Sequence, residues 1–215
     1  MAEAGTETPR ERYRAQVRTE IKEHAWGQIA TAGASALSLN AIAKQMGMSG
    51  PALYRYFANR DELITALITD AYGSLAETFR VAAGSGADLA GLAHVLRAWA
   101  LEDPQRYFLI YGTPVPGYHA PDDVTRIASE IMTILLDACA ALPSGRPATP
   151  FDAHLEDHRQ WAAEHPASAA ALHRGLVSWT RLHGMLSLEL AGHFTGMGFD
   201  PARLFAAEVD DLTAR

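Results

Sequence analysis

Tyr54, Arg55 and Tyr56 stand in a row between two groups of residues suited to starting helices, Ser49-Gly50-Pro51 before them and Asn59-Arg60-Asp61-Glu62 after them. Recognition of a nucleic acid is the chemistry open to such a row. An arginine can donate two hydrogen bonds to O6 and N7 of guanine, Ala52 can touch a thymine methyl, and the two phenols can reach phosphate oxygens. Arg60 would add charge to backbone N–H groups that a helix start already directs at a phosphate. With two positions of the preceding segment, the candidate contact set is Ser38, Asn40, Ser49, Gly50, Pro51, Ala52, Tyr54, Arg55, Tyr56 and Arg60. Arg10, Arg12 and Arg14 are placed to add minor-groove or phosphate contacts. The competing reading is a plain packing unit, but two tyrosines on an exposed arc bury little in an unbound domain.

Other chemistry is isolated. The sequence holds no Gly-x-Ser-x-Gly, no phosphate loop ending in Gly-Lys-Ser or Gly-Lys-Thr, and no paired cysteines, and no strand is expected before Gly84-Ser85-Gly86. No enzyme is expected, and no catalytic residues. His154 and His158 have the spacing of a helical ligand pair with Asp157 beside them, but a third ligand is not evident. A solvated polar face is the expectation there, with no metal and no cofactor. The single cysteine, Cys139, lies among Leu135, Leu136 and Ala138, which suits a buried helix face better than a reactive site. Phe79, Trp99, Tyr107, Phe108, Tyr111, Trp161 and Trp179, together with His183, are enough to line an apolar effector pocket. At helical spacing the same residues also suit plain core, and both readings stay open.

The elements that would position these residues are helices throughout. Tyr13, Val17, Ile21, Ala25 and Ile29 make one apolar stripe of a helix from Arg10 to about Ala32, with Gly33 as its cap. Ser38 caps a short second helix presenting Leu39, Ile42, Ala43 and Met46, and Gly47 ends it. A third helix is expected from Gly50 to Phe57, with Ser49 capping Ala52 and with Leu53 and Phe57 facing inward. Asn59 and Glu62 have the spacing of a capping box, and the helix behind them carries Leu63, Leu67, Ala71, Leu75 and Phe79 on its inner stripe. Further helices are expected over Leu89 to Glu102, Pro104 to Tyr111, Asp122 to Leu142, Pro150 to Glu164, Ser168 to Gly196 and Pro201 to Thr213. The sequence shows no internal repeat and no sustained alternation of period two.

At 215 residues and 48% hydrophobic content the chain can bury one large core or one large and one small one. No stretch reaches the roughly 18 apolar residues of a membrane span, and Glu3 and Glu7 stand where a secretory leader would be basic and then apolar. A soluble, cytoplasmic protein is expected, with no membrane partner. From Arg10 to Arg60, eight basic residues face three acidic ones, a net +5, so the overall −7 leaves −12 for the remainder. An acidic body with one basic end suits a protein that meets a polyanion with a single face.

Helix, short helix, glycine-centred turn and short helix is the layout of a helix-turn-helix. The run Leu39 to Ser49, followed by Ala52-Leu53-Tyr54-Arg55-Tyr56-Phe57 and Asn59-Arg60-Asp61-Glu62-Leu63, resembles the N-terminal domain of TetR-family regulators, with Pro51 where glycine and Ala52 where threonine are frequent. The later run Val177 to Gly184, with Trp179, His183 and Gly184, is similar to the Trp-His-Gly subgroup of that family, as is Phe108 to Tyr118. The resemblance implies an all-α protein: a disordered arm (1–9), a three-helix DNA-binding domain (10–60), a connecting helix (61–82) and a helical ligand-binding and dimerisation domain (83–215). It also implies a homodimer on a palindromic double-stranded DNA operator, acting as a repressor responsive to a small apolar effector. The small-residue seam Thr180, Gly184, Ser187 and Ala191, with Leu188 and with Phe205 and Val209 of the last helix, is the candidate dimer interface. The alternative, that this seam packs inside one subunit, stays open.

Overall fold

A computed structural model describes residues 8–113, 121–143, 147–162 and 165–214. Ten α-helices and two short 3₁₀ turns account for their regular structure, and no strand occurs among the described residues. They are α1 (Pro9–Ala32), α2 (Leu39–Gln45), α3 (Gly50–Leu53), α4 (Arg60–Gly84), α5 (Leu89–Glu102), α6 (Pro104–Tyr111), α7 (Asp122–Ala140), α8 (Pro150–Asp157), α9 (Ala169–Leu190) and α10 (Pro201–Thr213). Of the arm expected at 1–9, residues 1–7 lie outside the described residues, as does most of the segment from Gly112 to Tyr118; Thr8 already caps α1 in a capping box with Glu11.

The chain divides into two compact units, one built on residues up to Thr69 and the other on Asp70–Gly112 and the chain beyond residue 120. Helix α4 contributes to both. In the first unit the expected stripe of α1 is buried from Val17 to Ile29, along with Leu39, Ile42, Ala43, Leu53, Phe57, Leu63 and Leu67; Tyr13, at the outer end of the stripe, stays exposed. In the second, Leu75, Phe79, Leu96, Trp99, Tyr107, Ile131, Leu182, Leu186, Phe205 and Val209 share one apolar core. Leu136, Leu155 and Leu172 make a second cluster that holds α8 against α9. Cys139 is fully buried beside Leu89 and Leu135, and burial pushes its thiol up to about 11, so it packs as a small apolar group.

Several helices end earlier than their sequence pattern suggests. Helix α9 stops at Leu190, not Gly196, because Gly192 adopts φ 77 and lets His193 N and Gly192 N donate to Leu188 O and Glu189 O. Those two bonds are a Schellman cap, which a left-handed glycine permits. Helix α8 ends at Asp157, because His158 leaves the helical region and turns its Nδ1 to within 2.9 Å of His154 O. Helix α7 ends at Ala140, two residues before the expected Leu142. Helix α3 is one turn long, and what shortens it belongs to the site.

Candidate nucleic-acid interface

Helices α2 and α3 are joined by a turn that only glycine makes easily. Gly47 has φ 66, and Met48 N and Gly47 N donate to Ala43 O and Lys44 O, closing α2 as Gly192 closes α9. At the other end of α2, Ser38 Oγ accepts from Ala41 N, while Gln28 of α1 grips the Ser38 backbone through Oε1 at 2.8 Å. Ser49 makes no side-chain cap; Ala52 N is satisfied by Ser49 O at 3.0 Å, a correction to the expected role of that hydroxyl.

After Leu53 the winding tightens, with Arg55 N donating to Ala52 O and Tyr56 N to Leu53 O in place of a continued α-pattern. This brings Tyr54 and Arg55 out on the surface, leaves Tyr56 half-buried and buries Phe57 completely. Asn40, Ser49 and Pro51 are exposed on the same two short helices and their turn, and Gly50 and Ala52 are half-buried.

Three arginines that charge alone would assign to DNA are turned towards protein. Arg14 Nη2 donates to Arg55 O at 3.1 Å, and Arg18 donates to Tyr56 O with its guanidinium 4.0 Å over the Phe57 ring. Arg60 sends Nη2 to Ala34 O at 2.8 Å and Nε to Leu37 O at 3.3 Å, with Nη1 3.8 Å from Asp61. Two of its three nitrogens thus brace the turn before α2, a role beyond the expected phosphate contact. Glu62 N donates to Asn59 Oδ1 at 2.8 Å as expected, but the Glu62 carboxylate accepts from Ala58 N at 2.7 Å, one residue earlier than a standard box. Sequence reasoning missed the bracing roles of Arg14, Arg18 and Gln28, because hydrogen bonds to backbone carbonyls leave no spacing signature.

In the second unit, Tyr107, Tyr111, Trp179 and His183 converge. The His183 ring lies 4.2 Å from that of Tyr111 and 4.1 Å from that of Trp179, and Tyr107 Oη is within 3.0 Å of both His183 Nδ1 and Ser187 Oγ. Phe108 packs edge-on to Tyr107, while Phe79 and Trp99 lie in the adjoining core. Tyr111 Oη and His183 Nε2 are buried without a hydrogen-bond partner among the described residues. Burial, then the neighbouring Tyr72 and Tyr107, raise the Tyr111 phenol well above its ordinary value, and burial pulls the His183 imidazole down to about 4. Trp161 is not part of this cluster; it sits exposed on the turn Gln160–Ala162, so its place among the pocket residues is corrected.

Along the outer face of α9, Thr180, Gly184, Leu188 and Ala191 are exposed. Ser187 is drawn into the Tyr107 bond, and Phe205 and Val209 are buried within the subunit at 1% and 2% exposure. Phe205 and Val209 leave the candidate interface, because an amphipathic final helix hides its apolar stripe in its own core first, while Ser187 stays half-buried. Leu204, 40% exposed, is what α10 presents instead.

This arrangement, a braced helix-turn-helix joined to a helical unit, has clear relatives. Residues 21–67 match the family described as "Bacterial regulatory proteins, tetR family", and residues 89–212 match "Tetracyclin repressor-like, C-terminal domain". The HTH-type transcriptional regulators Rv1816 of Mycobacterium tuberculosis and Mb1846 of Mycobacterium bovis are 36% identical over 217 residues, covering 94% of this chain and 92% of theirs. A crystal structure of SCO4313, described as a candidate regulatory protein, is 72% identical, covers 97% of this chain and 100% of its own, and superposes with a TM-score of 0.90. The regulator FadR of Bacillus subtilis, solved with stearoyl-CoA, shares the fold at 14% identity and a TM-score of 0.56, over 91% of this chain and 97% of its own. The chain belongs to the TetR family of helix-turn-helix, DNA-binding transcriptional regulators, a family of regulators and not of enzymes.

Proposed function

We propose that this regulator is a ligand-responsive cytoplasmic repressor that binds a palindromic operator as a homodimer, reading DNA with residues 10–60 and holding effector and partner with residues 83–215. The observation that carries the reading is the exposed pair Tyr54 and Arg55 just past a short helix, on a turn whose carbonyls are held by side chains from α1. Arg55 reads a base edge, guanine by its geometry, and Tyr54 and Tyr56 hold phosphates. Asn40, Ser49, Pro51 and Ala52 line the approach.

The exposed line of small residues on α9 supports the homodimer, since a second copy of that helix can approach it closely. A two-fold axis there would set the recognition helices about one DNA turn, roughly 34 to 36 Å, apart. The aromatic cluster on Trp179 and His183, the pattern of the Trp-His-Gly subgroup, supports an apolar effector site. Such an effector acts by preferring the dimer in which the recognition helices no longer match the groove. A thousandfold loss of operator affinity requires a preference of about 4 kcal/mol.

Binding-site selection with wild type and Arg55→Ala is the test. The substitution is expected to relax preference at one position per half-site and to cost about 1 to 3 kcal/mol of affinity. Identical preferences in the two selections would take base reading away from Arg55.

A further inference from the structure

We propose that Arg14 and Arg18 are positioning residues for base recognition: they clamp the turn that follows α3, set the angle at which Arg55 is presented, and do not bind phosphate. The proposal rests on the reading that Arg55 contacts a base. An isolated single turn of helix is unstable in water, and its last carbonyls have no partners of their own. Here the turn that follows it takes up Ala52 O and Leu53 O, and α1 in turn holds the carbonyls of that turn, Arg55 O and Tyr56 O. Arg14 donates to Arg55 O at 3.1 Å and lies 5.9 Å from the Tyr56 ring centre. Arg18 donates to Tyr56 O, lies 4.0 Å over the Phe57 ring, and comes within 3.8 Å of Glu62 Oε1. The second oxygen of that carboxylate holds Ala58 N at 2.7 Å.

Arg55 O, Tyr56 O and Ala58 N are therefore all fixed by side chains from the flanking long helices, on a stretch of chain that also carries the exposed Arg55 side chain. A guanidinium can stack on Phe57 while donating in its own plane to Tyr56 O; an ammonium keeps the charge and loses that combination. Lysine therefore separates the clamp from a phosphate contact, because a phosphate accepts lysine as a point charge.

The experiment uses the full chain with Arg14→Lys, Arg18→Lys and Arg18→Gln. In the free protein, amide hydrogen exchange at Tyr56, Phe57 and Ala58 is expected to be about tenfold faster in Arg18→Lys, with the amides of α9 unchanged. On DNA, Arg18→Lys and Arg14→Lys should relax preference at the same operator position that Arg55→Ala relaxes. The slope of log affinity against log salt should stay that of wild type in Arg18→Gln, whereas loss of a phosphate contact would lower it by about one unit. Unchanged exchange in Arg18→Lys, an unrelaxed base preference beside a relaxed Arg55→Ala, or a lowered salt slope in Arg18→Gln each overturns the proposal. If Arg55→Ala itself leaves the preferences intact, the base-reading assignment fails, and the exchange measurement alone decides the clamp.

Discussion

His183 sits with its imidazole held near 4, against an ordinary 6.5, because burial among Tyr107, Tyr111 and Trp179 penalises its charged form. A depressed folded value means that the unfolded chain binds the extra proton first as pH falls. The stability tied to a neutral His183 is thus complete above about pH 6.5 and is lost as the pH drops towards 4. Its size is on the order of 3 kcal/mol. His183→Gln keeps a polar group beside Tyr107 and removes the titration, so its denaturant midpoint should fall less between pH 7 and pH 4.5 than that of wild type. Parallel midpoints for the two proteins would show that His183 carries no share of the acid response. Arg60 teaches a related lesson at the same scale: with Nη2 on Ala34 O and Nε on Leu37 O, a basic residue beside a DNA-reading helix serves the fold.

Helix α9 holds two glycines with opposite surroundings. A Cβ on Gly175 would come 2.6 Å from Leu136 Cδ2, whose side chain is buried, so this glycine sets how closely α7 and α9 pack. Gly175→Ala should destabilise the protein by about 1 to 3 kcal/mol in urea unfolding, an overpacking cost. A wild-type midpoint would mean that Leu136 moves aside freely. The ends of α5, α6 and α10 were legible in the sequence, because Asp88, Asp103 and Asp200 cap them locally and proline follows two of the three. The stripe Leu63 to Phe79 was legible for the same reason, periodicity being a local property. The tight turn after α3 was not, since the side chains that hold it, Arg14 and Arg18, come from 41 and 38 residues away. Nor could periodicity tell Phe205 and Val209 as core from the same residues as interface, because one apolar stripe serves either purpose.

Gly184 is exposed on α9, and a Cβ there meets nothing within 4 Å among the described residues of the subunit, so a side chain can leave the helix at this point without an immediate clash. A bulky residue there is expected to act against a second copy. Gly184→Leu should sediment as monomer, keep its helicity and lose affinity for an inverted-repeat site. A variant that stayed dimeric would move the interface away from α9. The border between the two units falls between Thr69 and Asp70, in the middle of α4, which is helical without interruption from Arg60 to Gly84. Most domain borders are the places where a chain is most easily nicked; this one is protected by hydrogen bonds on both sides. A cut there would leave each half with a raw helix end and unpaired backbone groups. The DNA-reading half therefore cannot be lifted out as a module at its own border: to be grafted onto another protein it must carry the length of α4 with it.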